Sequence, residues 1–175
     1  MPYLLRELEQ GDISTINAWR NDPALIRLLG APFRYINMDV DLKWYQDYLN
    51  SRSRCVRCAI VEKAHPEKIL GLVSLTDIDM TNRAAKLHIM IGKTCDQGHG
   101  AGSFAVNAMI THAFDNMNLR RIELNVLADN ERAIHLYQKA GFVCEGVRRE
   151  ACFKNGHYVD MWVMALLLSD RETAM

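Results

Sequence analysis

The stretch Asp96-Gln97-Gly98-His99-Gly100-Ala101-Gly102 decides how this chain is read. Glycines stand at positions 98, 100 and 102, shortly after the apolar run LHIMIG (87–92) and just before the helix-like run SFAVNAMITHAF (103–114). Glycine loses more backbone freedom on folding than any other residue, so this cluster points to a tight turn or to a ligand approaching the main chain. Strand, glycine loop and helix in that order suit an anion. The first N–H groups of a helix lack internal partners, and the helix dipole is positive there. The spacing is not the dinucleotide fingerprint, whose third glycine comes later. Nor is it a P-loop, because no Gly-Lys-Ser/Thr follows.

Working outward, the chain before this loop reads as a strand, helices and a meander. YLLREL (3–8) is a first strand; ISTINAWRND (13–22) and PALIRLL (23–29) are helices, the first capped by Asp12. MDVDLKWYQDYLNS (38–51) places Val40, Trp44, Tyr45, Tyr48 and Leu49 at helical spacing. RCVRCAIVE (54–62), KILGLVSLTDID (68–79) and AAKLHIMIG (84–92) are strands, separated by the turn-forming KAHPE (63–67) and MTNR (80–83). After the loop come a helix over about 99–116, the strand RIELNVL (121–127) and a helix over about 131–140 ending at Gly141. Two strands, FVCEGVRREACF (142–153) and YVDMWVMALLL (158–168), are joined by the hairpin signal KNG. The expected fold is α+β: a mixed, mostly antiparallel sheet of about seven strands with one parallel pair, flanked by about four helices. Residues 1–168 form a single domain and 169–175 a polar tail.

Composition narrows the function. With 49% hydrophobic and 24% charged residues, the chain has the profile of a soluble globular protein. Basic and acidic residues both number 21, so a general affinity for nucleic acid or an acidic membrane is not expected. The 5 cysteines are odd in number and irregularly spaced, unlike a disulfide framework, and Cys55 and Cys58 lie in a strand-like run with no second pair to complete a zinc site. No metal is expected. The N-terminus lacks a signal-like apolar region and MWVMALLL (161–168) is too short to span a bilayer, so a reducing cytoplasmic setting is the simplest expectation.

The loop also matches Q/R-x-x-G-x-G/A, and a second signature follows in DNERAIHLYQKAGF (129–142) as N-x-x-A-x-x-L-Y-x-x-x-G-F: Asn130, Ala133, Leu136, Tyr137, Gly141 and Phe142. In these two motifs, in this order, the sequence resembles the GNAT superfamily of acyl-CoA-dependent N-acetyltransferases. The resemblance implies that acetyl-CoA is the co-substrate and that the acetyl group passes directly to a primary amine in a ternary complex. It implies that Gln97, Gly98, His99, Gly100, Ala101 and Gly102 meet the pyrophosphate. Pantetheine would pair with the strand at Leu87, Ile89, Met90 and Ile91, and Asn130, Ala133 and Tyr137 would face it. At about 3.6 residues per turn, Asn130, Ile134 and Tyr137 share a helix face. Tyr137 would donate a proton to the leaving thiolate, and a strand N–H near Ile89 or Met90 would take the oxyanion.

Many relatives carry a Glu on the strand before the loop, where this chain has Lys86. His88 points to the same face as Lys86 and Met90; it either takes the amine's proton or fills space beside the cofactor. Asp77 and Glu123 are weaker bases, and a water chain would also serve. For the acceptor, the Trp-Arg-Asn segment and the Trp-Tyr helix resemble acetyltransferases of nucleotide-linked amino sugars, with Arg20, Arg34, Trp44 and Asp77 as binding residues. Polyamine and ribosomal-protein N-terminal acetyltransferases are the alternatives. A non-catalytic acetyl-CoA sensor is a further one, of another class. The expected partner is thus a small-molecule amine, with no nucleic acid and no membrane, and a homodimer is left open.

Overall fold

The computed structural model describes residues 2–93 and 96–173. Its centre is a seven-stranded sheet in the order β1-β2-β3-β4-β5-β7-β6. The strands are β1 (Tyr3–Glu7), β2 (Val56–Glu62), β3 (His65–Asp79), β4 (Ala84–Ile91), β5 (Arg121–Leu127), β6 (Val143–Lys154) and β7 (His157–Leu167). Every neighbouring pair is antiparallel except β4 and β5. The helices are α1 (Ile13–Arg20), α2 (Pro23–Ile26), α3 (Met38–Asn50), α4 (Ala101–Thr111), α5 (Glu131–Lys139) and α6 (Leu168–Thr173), with a π-type turn at His112–Asn116.

Strand alternation sorts the core into two layers. Val73, Leu75, Ala85 and Leu87 pack with α4 and α5 residues such as Val106, Met109, Ile134 and Tyr137. On the opposite face Cys55, Ala59 and Val61 pack with Ile16 and Trp19 of α1 and Tyr45 and Tyr48 of α3. Cys55 and Cys58 therefore point to opposite layers and cannot act together. Burial pushes the Cys58 thiol up to about 11, which disfavours the reactive thiolate.

The hairpin signal KNG is a tight turn with Asn155 (φ 50°) and Gly156 (φ 85°) both left-handed, as a type I′ connection requires. Several local expectations change. Asp12 does not cap α1: its carboxylate takes a bidentate pair from Arg6 (2.7 and 2.8 Å) and the Glu9 N–H (2.9 Å). Val40 and Leu49 are exposed on α3, and the side chain buried in their place is Asp41. Strand β3 begins at His65, since Glu62 pairs directly with His65 and leaves only Lys63 and Ala64 to turn. Flanking helices outnumber the roughly four expected, and α6 occupies the supposed tail, where Arg171 pairs with Asp115 at 2.7 Å.

Candidate active site

The parallel pair positions the site by failing to stay paired. β4 and β5 are in register only from Ala84↔Arg121 to Lys86↔Glu123. Yet β4 continues to Ile91 and β5 to Leu127. Beyond Lys86 the strands splay, and the edge of β4 over residues 87–91 faces an open cleft of about 740 Å³. Unpaired strand edges offer main-chain N–H and C=O groups to an extended ligand.

At one end of the fork lies the glycine loop. Gly98 (φ 89°) and Gly100 (φ 92°) are left-handed, which explains two of the three glycines. Gly100 is the N-cap of α4. A Cβ there would meet nothing within 4 Å, so the loop is bare on its open side. Gly102 is not left-handed but lines the cleft at the first turn of α4. Gln97, Gly98, Gly100 and Gly102 all reach the cleft wall. His99 and Ala101 do not: the His99 carbonyl accepts from the Tyr3 hydroxyl (2.8 Å), and Ala101 is buried in the core. Arg132, not anticipated from the sequence, leans over the loop and donates to Gln97 Oε1 at 3.0 Å. Its signal was a cation in the first turn of the helix that carries the second motif.

Helix α5 brings in the second motif. Asn130 Oδ1 accepts from Ala133 N at 3.1 Å, capping the helix, while its Nδ2 donates to the Leu28 carbonyl at 2.9 Å. Asn130, Ala133, Leu136 and Tyr137 all line the cleft. Tyr137 packs edge-on against Phe142 at 5.9 Å. Burial pushes its phenol up to about 12, so it stays protonated at neutral pH.

The other end is built from side chains. β2, β3 and β4 are registered so that Arg57, Ser74 and His88 form one row directly across three strands. His88 Nε2 meets Thr76 Oγ1 at 2.9 Å. Crowding by neighbouring atoms and the charge of Arg57 lower its pKa, opposed by Asp77, so the ring is neutral near pH 7. Trp44 lies beneath Arg57, 4.7 Å from ring centre to guanidinium carbon. Arg20 also lines this end and is paired with fully buried Asp41, which in turn accepts from Asn17 at 2.7 Å. The 25–31 segment roofs the end. It is tied down by buried Lys154, which donates to the Ile26 carbonyl at 3.0 Å and to that of Ala31, and by Cys152 to Gly30 at 3.4 Å. Arg34 is exposed outside the cleft wall, and Asp77 is an exposed partner of Lys86 at 2.9 Å. Neither is placed to bind an acceptor in this cleft.

Residues 3–143 match the model of the acetyltransferase (GNAT) domain, and the chain belongs to that family. It is 32% identical over 166 residues to a spermidine N(1)-acetyltransferase of Vibrio cholerae serotype O1, covering 94% of this chain and 92% of that one. The structure of a Vibrio cholerae spermidine N-acetyltransferase in complex with CoA and spermine superposes with a TM-score of 0.89 at 30% identity, over 97% of each chain. A spermidine/spermine N-acetyltransferase from the same species, solved with manganese ions, has a TM-score of 0.83 at 28% identity and covers 99% of this chain and 96% of that one. The chain is thus an acyl-CoA-dependent N-acetyltransferase that acetylates an amine. Among the described residues no group of three or more His, Cys, Asp and Glu is placed to hold a metal, and no helix is long and apolar enough to cross a membrane.

Proposed function

We propose that the cleft takes acetyl-CoA along the open edge of β4, with its diphosphate at Gly98–Gly102 and Arg132, and passes the acetyl group directly to the primary amine of a small molecule. The single observation that carries this reading is the fork. A bare, left-handed glycine loop, an unpaired strand edge and a tyrosine with a buried ring converge on one cleft. The tyrosine hydroxyl has no hydrogen-bond partner among the described residues, which leaves it available to a ligand.

The raised pKa of Tyr137 shapes its role. A thiol titrates near about 8.5, so full proton transfer from a phenol at about 12 is uphill. Tyr137 serves best as a hydrogen-bond donor that stabilises the leaving thiolate in a water-poor site. Neutral His88 accepts the amine's proton when its Nε2–H donates to Thr76, which leaves Nδ1 with a free lone pair.

The relatives favour a polyamine acceptor; of the four contacts expected for a nucleotide-linked amino sugar, Arg20 and Trp44 line the cleft and Arg34 and Asp77 do not. Calorimetry with CoA and acetyl-CoA, then CoA release with spermidine, amino-sugar nucleotides and N-terminal peptides, tests the reading. Tight acetyl-CoA binding without transfer to any amine would favour a sensor instead, and turnover with peptides alone would favour protein N-termini.

A further inference from the structure

Arg57 is the least expected residue of the molecule. It projects from the β2 face that otherwise carries Cys55, Ala59 and Val61, all buried. Its Nε is buried and has no hydrogen-bond partner among the described residues. Its Nη1 donates a long bond to Ser74 Oγ at 3.4 Å, and the Cys55 side chain is a second, weak polar neighbour. Among the described residues no carboxylate lies within ion-pairing distance of it. Trp44 and Tyr48 offer ring faces at 4.7 and 5.9 Å, which compensate only part of a guanidinium's lost hydration. Arg57 as a whole is half-buried and lines the cleft, and a guanidinium has five donors in a planar fork, so the part of it taken out of water without an anion is unfavourably placed.

The surroundings point the same way. Arg20, the neighbouring cation, is already matched by Asp41. Among the described residues lining the cleft the one carboxylate is Asp96, and it belongs to the glycine-loop end. This end therefore carries an unmatched positive charge, where a polycation would need negative ones.

We infer that Arg57, with Ser74 beside it, binds an anionic group of the acceptor, so that the acetylated amine belongs to a small molecule that also bears a carboxylate or a phosphate. This rests on the proposed N-acetyltransferase reading of the cleft and departs from its polyamine acceptor. Strand spacing sets the size of the molecule. Neighbouring strands lie about 4.8 Å apart, so the row from Arg57 to His88 spans about 10 Å. An anion held at Arg57 then leaves its own amine close to His88 and the fork when the two groups are a few bonds apart. The planar fork of Arg suits either oxyanion, with two parallel N–H donors to two oxygens.

The test is CoA release from acetyl-CoA with three sets of amines: amino acids and phosphorylated amino sugars as the two anionic arms, uncharged analogues of each, and spermidine. It is run on the unmodified protein and on Arg57→Gln and Arg57→Lys. The expected result is a preference for one anionic arm, which identifies carboxylate or phosphate. Arg57→Gln should raise KM for that acceptor by about 10–100-fold, as loss of a charged hydrogen-bonding partner does. Its KM for the uncharged analogue and its calorimetric affinity for CoA should stay within about threefold, with partial rescue by Arg57→Lys. Equal losses for charged and uncharged amines would make Arg57 a support for Trp44 alone and overturn the inference. Spermidine outperforming every anionic amine, with Arg57→Gln neutral or beneficial, would overturn it in favour of the polyamine. Absence of CoA binding or of any transfer would remove the underlying function as well, and is thus distinguishable.

Discussion

At the glycine-loop end of the cleft the wall is largely main chain: Gly98, Gly100, Gly102 and the open edge of β4. At the end roofed by residues 25–31 the wall is side chains, with Trp44 from α3 and Arg57, Ser74 and His88 from three strands. The first end, where Arg132 adds one cation to main-chain dipoles, suits an anion and an extended amide chain, the features of a ligand common to a whole family. The second end can change its ligand with single substitutions that leave the backbone in place. Fold and co-substrate can therefore be shared with the spermidine enzymes while the acceptor differs.

Tyr137 sits where the two ends meet, and its loss should separate them most sharply. Tyr137→Phe is expected to lower kcat by about 100–1,000-fold, the usual consequence of removing a preorganised donor to a developing anion. Calorimetric affinity for CoA should hardly change. If kcat survives, the donor assignment fails while the fork remains a CoA site. Gly100→Glu attacks the main-chain end alone. A left-handed φ of 92° forced on a side-chain residue, and a carboxylate set against a diphosphate, should weaken CoA binding by about 100-fold or more. The melting temperature should fall by a few degrees from the left-handed strain alone, because a Cβ at this position meets no neighbouring atom within 4 Å.

The side-chain end offers two smaller tests. With neutral His88 as base, kcat/KM should fall as pH drops through a value below the usual histidine range of about 6.5, since burial and Arg57 lower this pKa against the opposing pull of Asp77, itself paired with Lys86. His88→Gln should abolish that limb and cost about tenfold in rate near pH 7. Two acceptors of different amine pKa tell the groups apart: the acceptor's own limb moves between them and the His88 limb does not. A limb unchanged in His88→Gln would point to the water route. Smallest is Lys154→Met, which frees the carbonyls of Ile26 and Ala31. It should raise acceptor KM a few-fold and leave CoA affinity alone; an equal effect on both would mean that the roof supports the whole cleft.

Motif residues on consecutive stretches were legible. The Gln97–Gly102 loop and the Asn130–Phe142 motif around α5 each use local spacing, and local spacing survives folding unchanged. Asn130 reads as a cap from sequence and is one, yet the use of its other amide group on Leu28 needed a segment about a hundred positions away. Helix α3 was legible as a helix but not in its facing. Val40 and Leu49 looked like core, whereas Asp41 took the buried place because Arg20 and Asn17 from α1 satisfy it. Asp12 looked like a cap because Asp before a helix usually is one, but a bidentate arginine on β1 claimed it.

By itself the sequence determined the chain order of the strands and of helices α1 to α5, the glycine loop before α4, and a tyrosine on a helix face that lines the same cleft. Each depends on neighbours in the chain. Only the tertiary structure decided where β4 and β5 part, which cations line the far end, and that Arg57 stands in one row with Ser74 and His88. Those facts depend on strand register and on which charges meet across long separations, and a one-residue slip in register would turn every such side chain to the other face.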